Sequence, residues 1–303
     1  MNFYSNGKLL ITGEYLVLDG AKSLALPTKQ GQSMTVKINA DNKNGLITWH
    51  SFDENNNIWF GCEIDKKTFK VIKSTNVNIA ITLTRIFQEV RKLKNDFLIL
   101  DNNIQISTKL SFNTSWGLGT SSTLINNIAS WAKVDAFQLQ FKIFGGSAYD
   151  IACAQHDNPI VYSLNKQEPI VKEVAFNPQF KSQLFFIHLN QKQNSRDAIK
   201  NYRKNKLTNS NLIESISEIT AQIVRTNSLT EFEYLINKHE TIISKSIGIE
   251  PIQKSLFKDY FGRIKSLGAW GGDFILATGN SDSLSYFKKK GYQTILTYGN
   301  MIK

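Results

Sequence analysis

Residues 116–123 read WGLGTSST, and this stretch decides how the rest of the chain is interpreted. Two glycines flank a leucine, and four hydroxyl residues follow directly. Glycine allows positive φ and a close approach of the backbone to a ligand. The stretch lies between a predicted strand at 103–108 and a predicted helix at 123–133, whose first N–H groups suit a bound phosphate. A glycine turn with a Ser or Thr helix cap fits the same letters, so the loop alone leaves both interpretations open.

The usual nucleotide loop, G-x-x-x-x-G-K-[ST], does not account for this stretch. The Gly-Lys pair of the chain, Gly7-Lys8, has Asn2 in place of the first glycine and Leu9 in place of Ser or Thr. A phosphate cradle at 116–123 therefore needs partners elsewhere in the sequence.

Three other segments carry glycines or charges in unusual settings. The sequence SNGKLLITGEYLVLDG puts Lys8 and Glu14 at the ends of adjacent predicted strands. The sequence GGSAYDIACA places Asp150 in an otherwise apolar helical stretch, where a carboxylate must be paired or functional because burying a lone charge is costly. Residues 266–279, SLGAWGGDFILATG, put three glycines and an alanine before a strand. Each segment by itself also fits a turn, a helix cap or a surface charge.

Length and composition describe a globular chain. The 303 residues are 41% hydrophobic and 20% charged, which favours a packed core and, at about 150 residues per domain, two domains. The cysteines, Cys62 and Cys153, lack metal-ligand spacing and are predicted to be reduced and buried, as in the cytoplasm. We expect no secretory signal and no membrane span, because no stretch approaches about 20 apolar residues.

The net charge of +11 raises the question of a nucleic-acid partner. The lysines are spread along the chain, and no nucleic-acid motif or interleaving of aromatic with basic residues is apparent. We therefore expect no nucleic-acid partner. A basic surface also suits an anionic small molecule.

Strand signals dominate the first half of the chain, and the second half mixes strands with long helices. This pattern predicts an α+β protein with domains at 1–165 and 166–303. The predicted strands include YLVL at 15–18 and DFLILD at 96–101, and residues 76–93 have helical periodicity.

In order and spacing, the segments resemble the motifs of the GHMP kinase superfamily, which includes galactokinase and the homoserine, mevalonate and phosphomevalonate kinases. The first motif resembles P-G-K-x-x-x-x-G-E-[HY], matched by Asn6-Gly7-Lys8 and Gly13-Glu14-Tyr15. The second, G-L-G-S-S-A, is matched by residues 117–122, and the third, glycine-rich motif by residues 268–272. With GEYLVLDG and the G-S-x-x-D arrangement ending at Asp150, the chain looks most like phosphomevalonate and mevalonate kinases.

The resemblance implies an N-terminal domain like domain 2 of ribosomal protein S5, a ferredoxin-like C-terminal domain, and an ATP-dependent phosphotransferase that uses Mg²⁺. It implies Asp150 as the catalytic carboxylate with Lys8 close to it, and Ser121 as the Mg²⁺ ligand. The implied ATP-binding residues are Gly117, Leu118, Gly119, Thr120, Ser121, Ser122, Gly268, Ala269 and Gly271. The candidates for acceptor binding are Glu14, Tyr15, Ser147 and Arg196, the last together with Lys200 by their spacing on a predicted helix start.

The chain departs from the family pattern at several positions. Asn6 replaces the proline of the first motif, Ala148 replaces a frequent glycine, and Trp270 and Asp273 interrupt the usual glycine run. In the mevalonate kinases, which the chain resembles, an acidic second Mg²⁺ ligand precedes the catalytic aspartate. The corresponding stretch of this chain, AFQLQFKIF, contains no acid. This favours a phosphomevalonate kinase or an unassigned branch.

The identity of the acceptor stays open at this point. We expect an anionic acceptor, phosphomevalonate or mevalonate, and a monomer or homodimer. The alternatives are another acceptor such as homoserine or a sugar, an enzyme like mevalonate diphosphate decarboxylase, and a degenerate member that binds RNA or another ligand without catalysis.

Overall fold

The computed structural model describes residues 1–39, 45–99, 102–191, 195–204, 210–270 and 272–303, with side chains except at 195–198 and 201. The chain forms two compact units, each assembled from separate stretches. Unit 1 contains Met1–Gly7, Gln30–Thr114 and Gly119–Gln155, and unit 2 contains Lys8–Lys29, Ser115–Leu118 and His156–Lys303. The predicted division into domains 1–165 and 166–303 stays a prediction.

Unit 1 is built on a sheet with one face on the core. The strands are β1 (Asn2–Leu10), β2 (Ser23–Asn39), β3 (Leu46–Phe52), β4 (Ile58–Asp65), β5 (Val71–Ser74) and β6 (Asn103–Leu110), of which β1 and β2 have residues in both units. The order is β5-β4-β3-β6-β2, with β3 and β6 parallel and the other neighbours antiparallel. Burial alternates along β3 and β4, as it does when one face of a sheet packs on a core.

The helices of unit 1 contribute to the same core. They are α1 (Val77–Leu93), α2 (Thr120–Ala132), α3 (Ala136–Ile143) and α4 (Tyr149–Gln155). Helix α1 matches the helix predicted at 76–93: Asn76 caps it by accepting from Ile79 N at 3.2 Å, and Leu83 and Phe87 lie buried on one helical face. Trp49 of β3 joins Phe87 in this core. The core therefore fixes the starts of α2 and α4, which carry several predicted site residues.

Unit 2 contains two groups of paired strands. Its elements are β7 (Ile160–Asn165), β8 (Glu168–Glu173), β9 (Leu184–His188), α5 (Ser195–Lys204), α6 (Ser210–Arg225), α7 (Leu229–Ile247), α8 (Ile252–Leu256), β10 (Ile264–Ser266), β11 (Phe274–Thr278), α9 (Asp282–Lys289), β12 (Ile295–Thr297) and α10 (Tyr298–Met301). The first residues of β2 pair with β7, and β7 pairs with β8. The other sheet has the antiparallel order β10-β11-β9-β12. All residues of β9 and β11 are buried, so both faces of these central strands are covered.

Two predicted strands are wrong. Leu16–Asp19 forms a 3-10 helix, because Tyr15 (φ 63°) and Gly20 (φ 99°) turn the backbone at its two ends. A four-residue apolar run has too little periodicity to distinguish a strand from a buried turn. Residues 95–98 form a turn in which Phe97 packs on Trp131 with ring centroids 4.9 Å apart; residues 100–101 of that prediction lie outside the described residues.

Both cysteines lie in the interior of the protein. Cys62 and Cys153 are buried, as predicted, and burial raises the pKa of the Cys62 thiol to about 12. Among the described residues, no helix has the length and apolar character that a membrane crossing requires.

Candidate active site

The first half of the glycine loop, Ser115–Leu118, is held through its carbonyl groups within unit 2. His188 Nε2 lies 3.2 Å from Ser115 O. Since His188 Nδ1 accepts from Asn190 N at 3.3 Å, Nε2 is the nitrogen that donates to Ser115 O. Lys8 Nζ donates to Gly117 O at 2.8 Å, and Lys8 N donates to Leu118 O at 3.1 Å.

These contacts orient the peptide groups of the loop. In a trans peptide, the C=O of one residue and the N–H of the next point in opposite directions. With the Ser115 and Gly117 carbonyls turned towards His188 and Lys8, the N–H groups of Trp116 and Leu118 face away from those donors. The contacts therefore leave backbone N–H groups of the loop directed away from His188 and Lys8, and an anion site in a loop is built from backbone N–H groups.

Gly117 allows no side chain. Its φ is +65°, and a Cβ built on it would lie 2.4 Å from Cγ and Oδ2 of Asp273. The Asp273 carboxylate thus covers one face of Gly117, while Lys8 binds the carbonyl of the same residue. The glycine is required both by its backbone conformation and by this close approach.

The second half of the loop begins helix α2 in unit 1. Gly119 is the N-cap with φ 97° and provides no side-chain cap. Ser122 Oγ donates to Gly119 O at 2.9 Å, and Thr123 Oγ1 lies 3.0 Å from both Gly119 O and Gln32 Oε1. Both hydroxyls are buried, whereas Thr120 is half-buried and Ser121 is exposed. The first turn therefore presents the Ser121 hydroxyl and N–H groups without a side-chain cap, which suits a phosphate.

Asp150 lies in the first turn of α4, in unit 1. Its side chain is half-buried, and Oδ1 accepts from Ile151 N at 3.1 Å. Residues 151–154 of the helix behind it are buried, so the carboxylate lies at the edge of the core. Ser147 is buried and Ala148 has φ 59°. The chain thus keeps a backbone conformation that favours glycine at the position where Ala148 replaces the family's frequent glycine.

The Gly13-Glu14-Tyr15 turn is fixed inside unit 2. Gly13 N donates to His239 Nε2 at 2.9 Å. Glu14 has no exposed side-chain surface, and its Oε1 accepts from Lys265 Nζ at 2.5 Å. Tyr15 has φ 63°, and its hydroxyl donates to Ala269 O at 2.8 Å. The turn therefore positions the third glycine-rich segment directly; acceptor binding by Glu14 and Tyr15 stays a prediction.

Glu14 belongs to a group that we call the buried ionic cluster: Glu14, His239, Glu240, Lys265 and Ser266. Lys265 Nζ lies 3.5 Å from Glu240 Oε1 and donates to Ser266 O at 2.9 Å. Ser266 Oγ donates to Glu240 Oε2 at 3.0 Å. The cluster joins α7 and β10 to the turn that carries Glu14.

Burial dominates the electrostatics of this cluster. Desolvation raises the pKa of Glu14 to about 7, against the opposing effect of Lys265. Burial also raises the pKa of Glu240, again opposed by Lys265. Burial, followed by the charge of Lys265, lowers the pKa of His239 well below its usual value, so His239 accepts from Gly13 N as a neutral ring.

The third glycine-rich segment places non-glycine residues at positive φ. Gly268 has φ 60° with open space around its Cβ position. Trp270 (φ 54°) is buried and Asp273 (φ 52°) is half-buried. Gly271 lies outside the described residues, as does the side chain of Arg196; Lys200 is exposed on α5.

Within unit 2, the structure brings Lys8 to Gly117 and Leu118, and in a separate contact it brings Tyr15 to Ala269. Gly119, Thr120, Ser121, Ser122, Ser147 and Asp150 belong to unit 1, and the proximity of Lys8 to Asp150 stays a prediction. In the described part of the chain, no group of three or more His, Cys, Asp or Glu side chains is arranged to hold a metal ion.

Sequence reasoning missed Lys265, His239, Glu240 and His188, and it treated Asp273 only as a departure. One signal was available for Lys265. It stands in a short apolar segment directly before the third glycine-rich stretch, and a lysine in a buried strand requires a partner. No local signal links His239 and Glu240 to Glu14, because the helix pattern of α7 fits an exposed position equally well.

Comparison with solved structures shows the GHMP kinase fold over the whole chain. Methanococcus jannaschii mevalonate kinase matches with TM-score 0.70 and 14% identity, over 98% of this chain and 96% of that one. Streptococcus pneumoniae phosphomevalonate kinase, in complex with phosphomevalonate and AMPPNP, matches with TM-score 0.70 and 14% identity, over 98% and 99%. Lactococcus lactis galactokinase, complexed with galactose, matches with TM-score 0.68 and 13% identity, over 98% and 92%.

These matches confirm the predicted α+β, GHMP-type fold. No family model matches the sequence, and no curated protein sequence matches it. At such low identity, the likeness shows the fold, and the three proteins are named for different acceptors.

Proposed function

We propose that this protein is an ATP-dependent small-molecule kinase that transfers the γ-phosphoryl group to an isoprenoid-precursor acceptor, phosphomevalonate or mevalonate. The observation that carries the proposal is the loop at 115–122. The carbonyl groups of Ser115 and Gly117 accept hydrogen bonds from His188 and Lys8. The loop then continues into the start of α2, which has no side-chain cap. Both features favour a bound polyphosphate.

The loop would act mainly by positioning. Phosphoryl transfer requires alignment of donor and acceptor and neutralisation of charge on the transferring group, with little covalent chemistry for the protein. The loop supplies N–H donors, and Lys8 supplies a positive charge that is fixed by its bond to Gly117 O. The Tyr15 hydroxyl on Ala269 O fixes the third glycine-rich segment, for which the proposed role is nucleotide binding.

The residues present fit Mg²⁺ as a partner of the nucleotide. Mg²⁺ prefers oxygen ligands and usually keeps water while binding one or two protein groups and substrate phosphates. The exposed Ser121 hydroxyl in the first turn of α2 is such a group. When bound, Mg²⁺ would neutralise phosphate charge. Ser121 would hold it and thereby orient the nucleotide over the helix start.

Asp150 is proposed to act on the acceptor. Its half-buried carboxylate at the start of α4 has one oxygen on the backbone of Ile151, and the carboxylate can accept the proton of the acceptor hydroxyl. General-base assistance of this kind contributes about 10²–10⁴-fold to turnover. Residues 151–154 behind it are buried, so the backbone that carries this side chain is anchored in the core.

The proposed acceptor class rests on the motif resemblance and on charge. The G-S-x-x-D arrangement ending at Asp150 and the sequence GEYLVLDG favour the mevalonate-pathway kinases, and the lack of an acid in AFQLQFKIF favours phosphomevalonate over mevalonate. The net charge of +11 suits an anionic acceptor. Arg196 and Lys200 on α5 stay candidates for its phosphate.

The test is ADP release from Mg·ATP with mevalonate, phosphomevalonate, homoserine, galactose or buffer alone. We expect turnover above the buffer rate with phosphomevalonate or mevalonate. Turnover only with homoserine or galactose would replace the acceptor and keep the kinase. CO₂ release from mevalonate diphosphate would indicate the decarboxylase reaction. No ATP binding, together with salt-sensitive RNA binding, would overturn the proposal in favour of a non-catalytic protein.

A further inference from the structure

The carboxylate of Asp273 lies against the loop that is proposed to hold polyphosphate. A Cβ on Gly117 would fall 2.4 Å from Oδ2 and 2.7 Å from Oδ1 of Asp273, so both oxygens lie beside the α-carbon of Gly117. A negative side chain at this position opposes the binding of another anion. A loop that only had to attract phosphate would gain nothing from it.

The backbone of Asp273 is held independently of the loop. Asp273 N donates to Gln191 O at 2.7 Å, and Asp273 O accepts from Leu189 N at 2.8 Å. The next residue, Phe274, begins β11 and pairs with His188 of β9. Asp273 itself has φ 52°, a conformation that Asp and Asn adopt more readily than most residues. The backbone contacts with the sheet therefore fix the position of the Asp273 carboxylate beside Gly117.

Lys8 binds the same glycine from its carbonyl side, with Nζ 2.8 Å from Gly117 O. Gly117 thus has a cation at its carbonyl and an anion at its α-carbon. Asp273 offsets much of the attraction that Lys8 exerts on an approaching polyphosphate. A divalent cation carried by the polyphosphate reverses this effect, because the carboxylate then faces a positive charge and can serve as a ligand.

We propose that Asp273 makes nucleotide binding at this loop selective for the metal-bound form: its carboxylate opposes metal-free polyphosphate and accepts the divalent cation of the metal complex. This inference rests on the proposed function, since it takes the loop as the polyphosphate site. It assigns to this chain an acidic group at the loop itself, which the stretch AFQLQFKIF does not supply.

The test is the affinity for ATP measured by titration calorimetry, once with Mg²⁺ and once with EDTA. Asp273→Asn keeps the shape of the side chain and its tolerance of positive φ while removing the charge. In general, two like charges about 6 Å apart in an effective dielectric constant of about 20 repel each other by an energy that corresponds to roughly a hundredfold in affinity, and salt screening reduces this. We therefore expect Asp273→Asn to bind metal-free ATP at least ~10-fold more tightly than the wild type.

Two further variants separate charge from shape. Asp273→Gly also accepts positive φ and is expected to show the same gain for metal-free ATP. Asp282→Asn removes an equal charge from the exposed first turn of α9 and is expected to bind metal-free ATP as the wild type does.

The outcomes distinguish this inference from the proposed function. If the wild type binds Mg·ATP but both Asp273 variants leave the ratio of metal-bound to metal-free affinity unchanged, Asp273 is only a structural support for Gly117 and the inference is overturned. If the wild type binds ATP in neither condition, the proposed function is overturned together with it.

Discussion

The starts of α2 and α4 in unit 1 and the buried ionic cluster in unit 2 use polar groups in opposite ways. Ser121 is exposed and Asp150 is half-buried, with Asp150 bonded to the backbone N–H that follows it. In the cluster, Glu14 and Lys265 have no exposed side-chain surface and bind each other at 2.5 Å. The first region leaves its polar groups accessible, and the second buries them.

This difference distinguishes the residues that we propose to act in turnover from the residues that stabilise the fold. An exposed or half-buried group contributes little to stability, because water replaces much of what it loses. A fully buried charge destabilises the fold strongly when its partner is removed. Substitutions in the first region should therefore change turnover and spare stability, and substitutions in the cluster should do the reverse.

The largest expected effect is that of Asp150→Asn on turnover. The amide cannot accept the proton of the acceptor, so ATP turnover with the acceptor identified in the panel should fall by about 10²–10⁴-fold. The charge lies in the first turn of α4, where its loss should cost less than about 1 kcal/mol of unfolding free energy. Initial rates and urea unfolding check the two parts.

The control for this variant is Asp157→Asn, which removes a carboxylate from the surface pair with Lys303. It should leave turnover unchanged. Near-normal turnover in Asp150→Asn, or equal loss in both variants, would contradict the role assigned to Asp150.

In the cluster, Lys265→Met should destabilise the fold. It leaves Glu14 and Glu240 buried without their cation, a change that typically costs about 3–5 kcal/mol. The matched variant, Lys290→Met, breaks a surface ion pair in which the side chain of Lys290 is 34% exposed and that of Asp259 is 64% exposed. Its loss should lower the unfolding free energy by less than about 1 kcal/mol. Urea unfolding at pH 7 compares the two. Equal costs would show that the cluster does not stabilise the fold.

The same cluster predicts a pH dependence of stability. Glu14 has a folded-state pKa of about 7, raised from 4.5, so its favourable contribution is fully present below pH 4.5 and is lost as the pH rises through 7. The loss amounts to about 3 kcal/mol of unfolding free energy. Urea unfolding between pH 4.5 and 8 measures it.

Glu14→Gln provides the comparison, because glutamine does not titrate. The unfolding free energy of the wild type minus that of this variant should fall as the pH rises from 4.5 to 7. A constant difference over this range would show that Glu14 keeps an ordinary pKa.

Much of the fold could be predicted from local sequence, and the cluster could not. Helix α1 follows from the cap at Asn76 and the apolar spacing behind it, and the fold class follows from motif order. The 3-10 helix at Leu16–Asp19 depends on positive φ at Tyr15, which no apolar pattern reports. The partners Glu14 and Lys265 are separated by 251 positions in sequence, so only the folded chain shows that they pair.

Part of the candidate site could also be predicted from residues that are adjacent in sequence. Glycines and hydroxyls at 117–122 lie next to one another in sequence, so their loop could be recognised directly. Ser122, which is predicted to bind the nucleotide, has a buried hydroxyl that donates to Gly119 O, and its role in nucleotide binding stays a prediction. The contacts of His188, at the end of β9, and of Asp273, directly before β11, with the loop come from positions far along the chain, and they appear only in the structure.

The affinity of Gly117→Ala for Mg·ATP tests most directly whether the loop is the nucleotide cradle. Alanine here meets positive φ and the Asp273 carboxylate at 2.4 Å. The control is Gly248→Ala, where φ is a similar 71°, so both variants carry backbone strain of about 1–2 kcal/mol. At Gly248, however, the added Cβ meets no other atom within 4 Å. Displacement of binding groups by about 1 Å costs roughly a hundredfold. We predict such a loss of Mg·ATP affinity in Gly117→Ala alone; wild-type affinity in both variants would contradict the cradle.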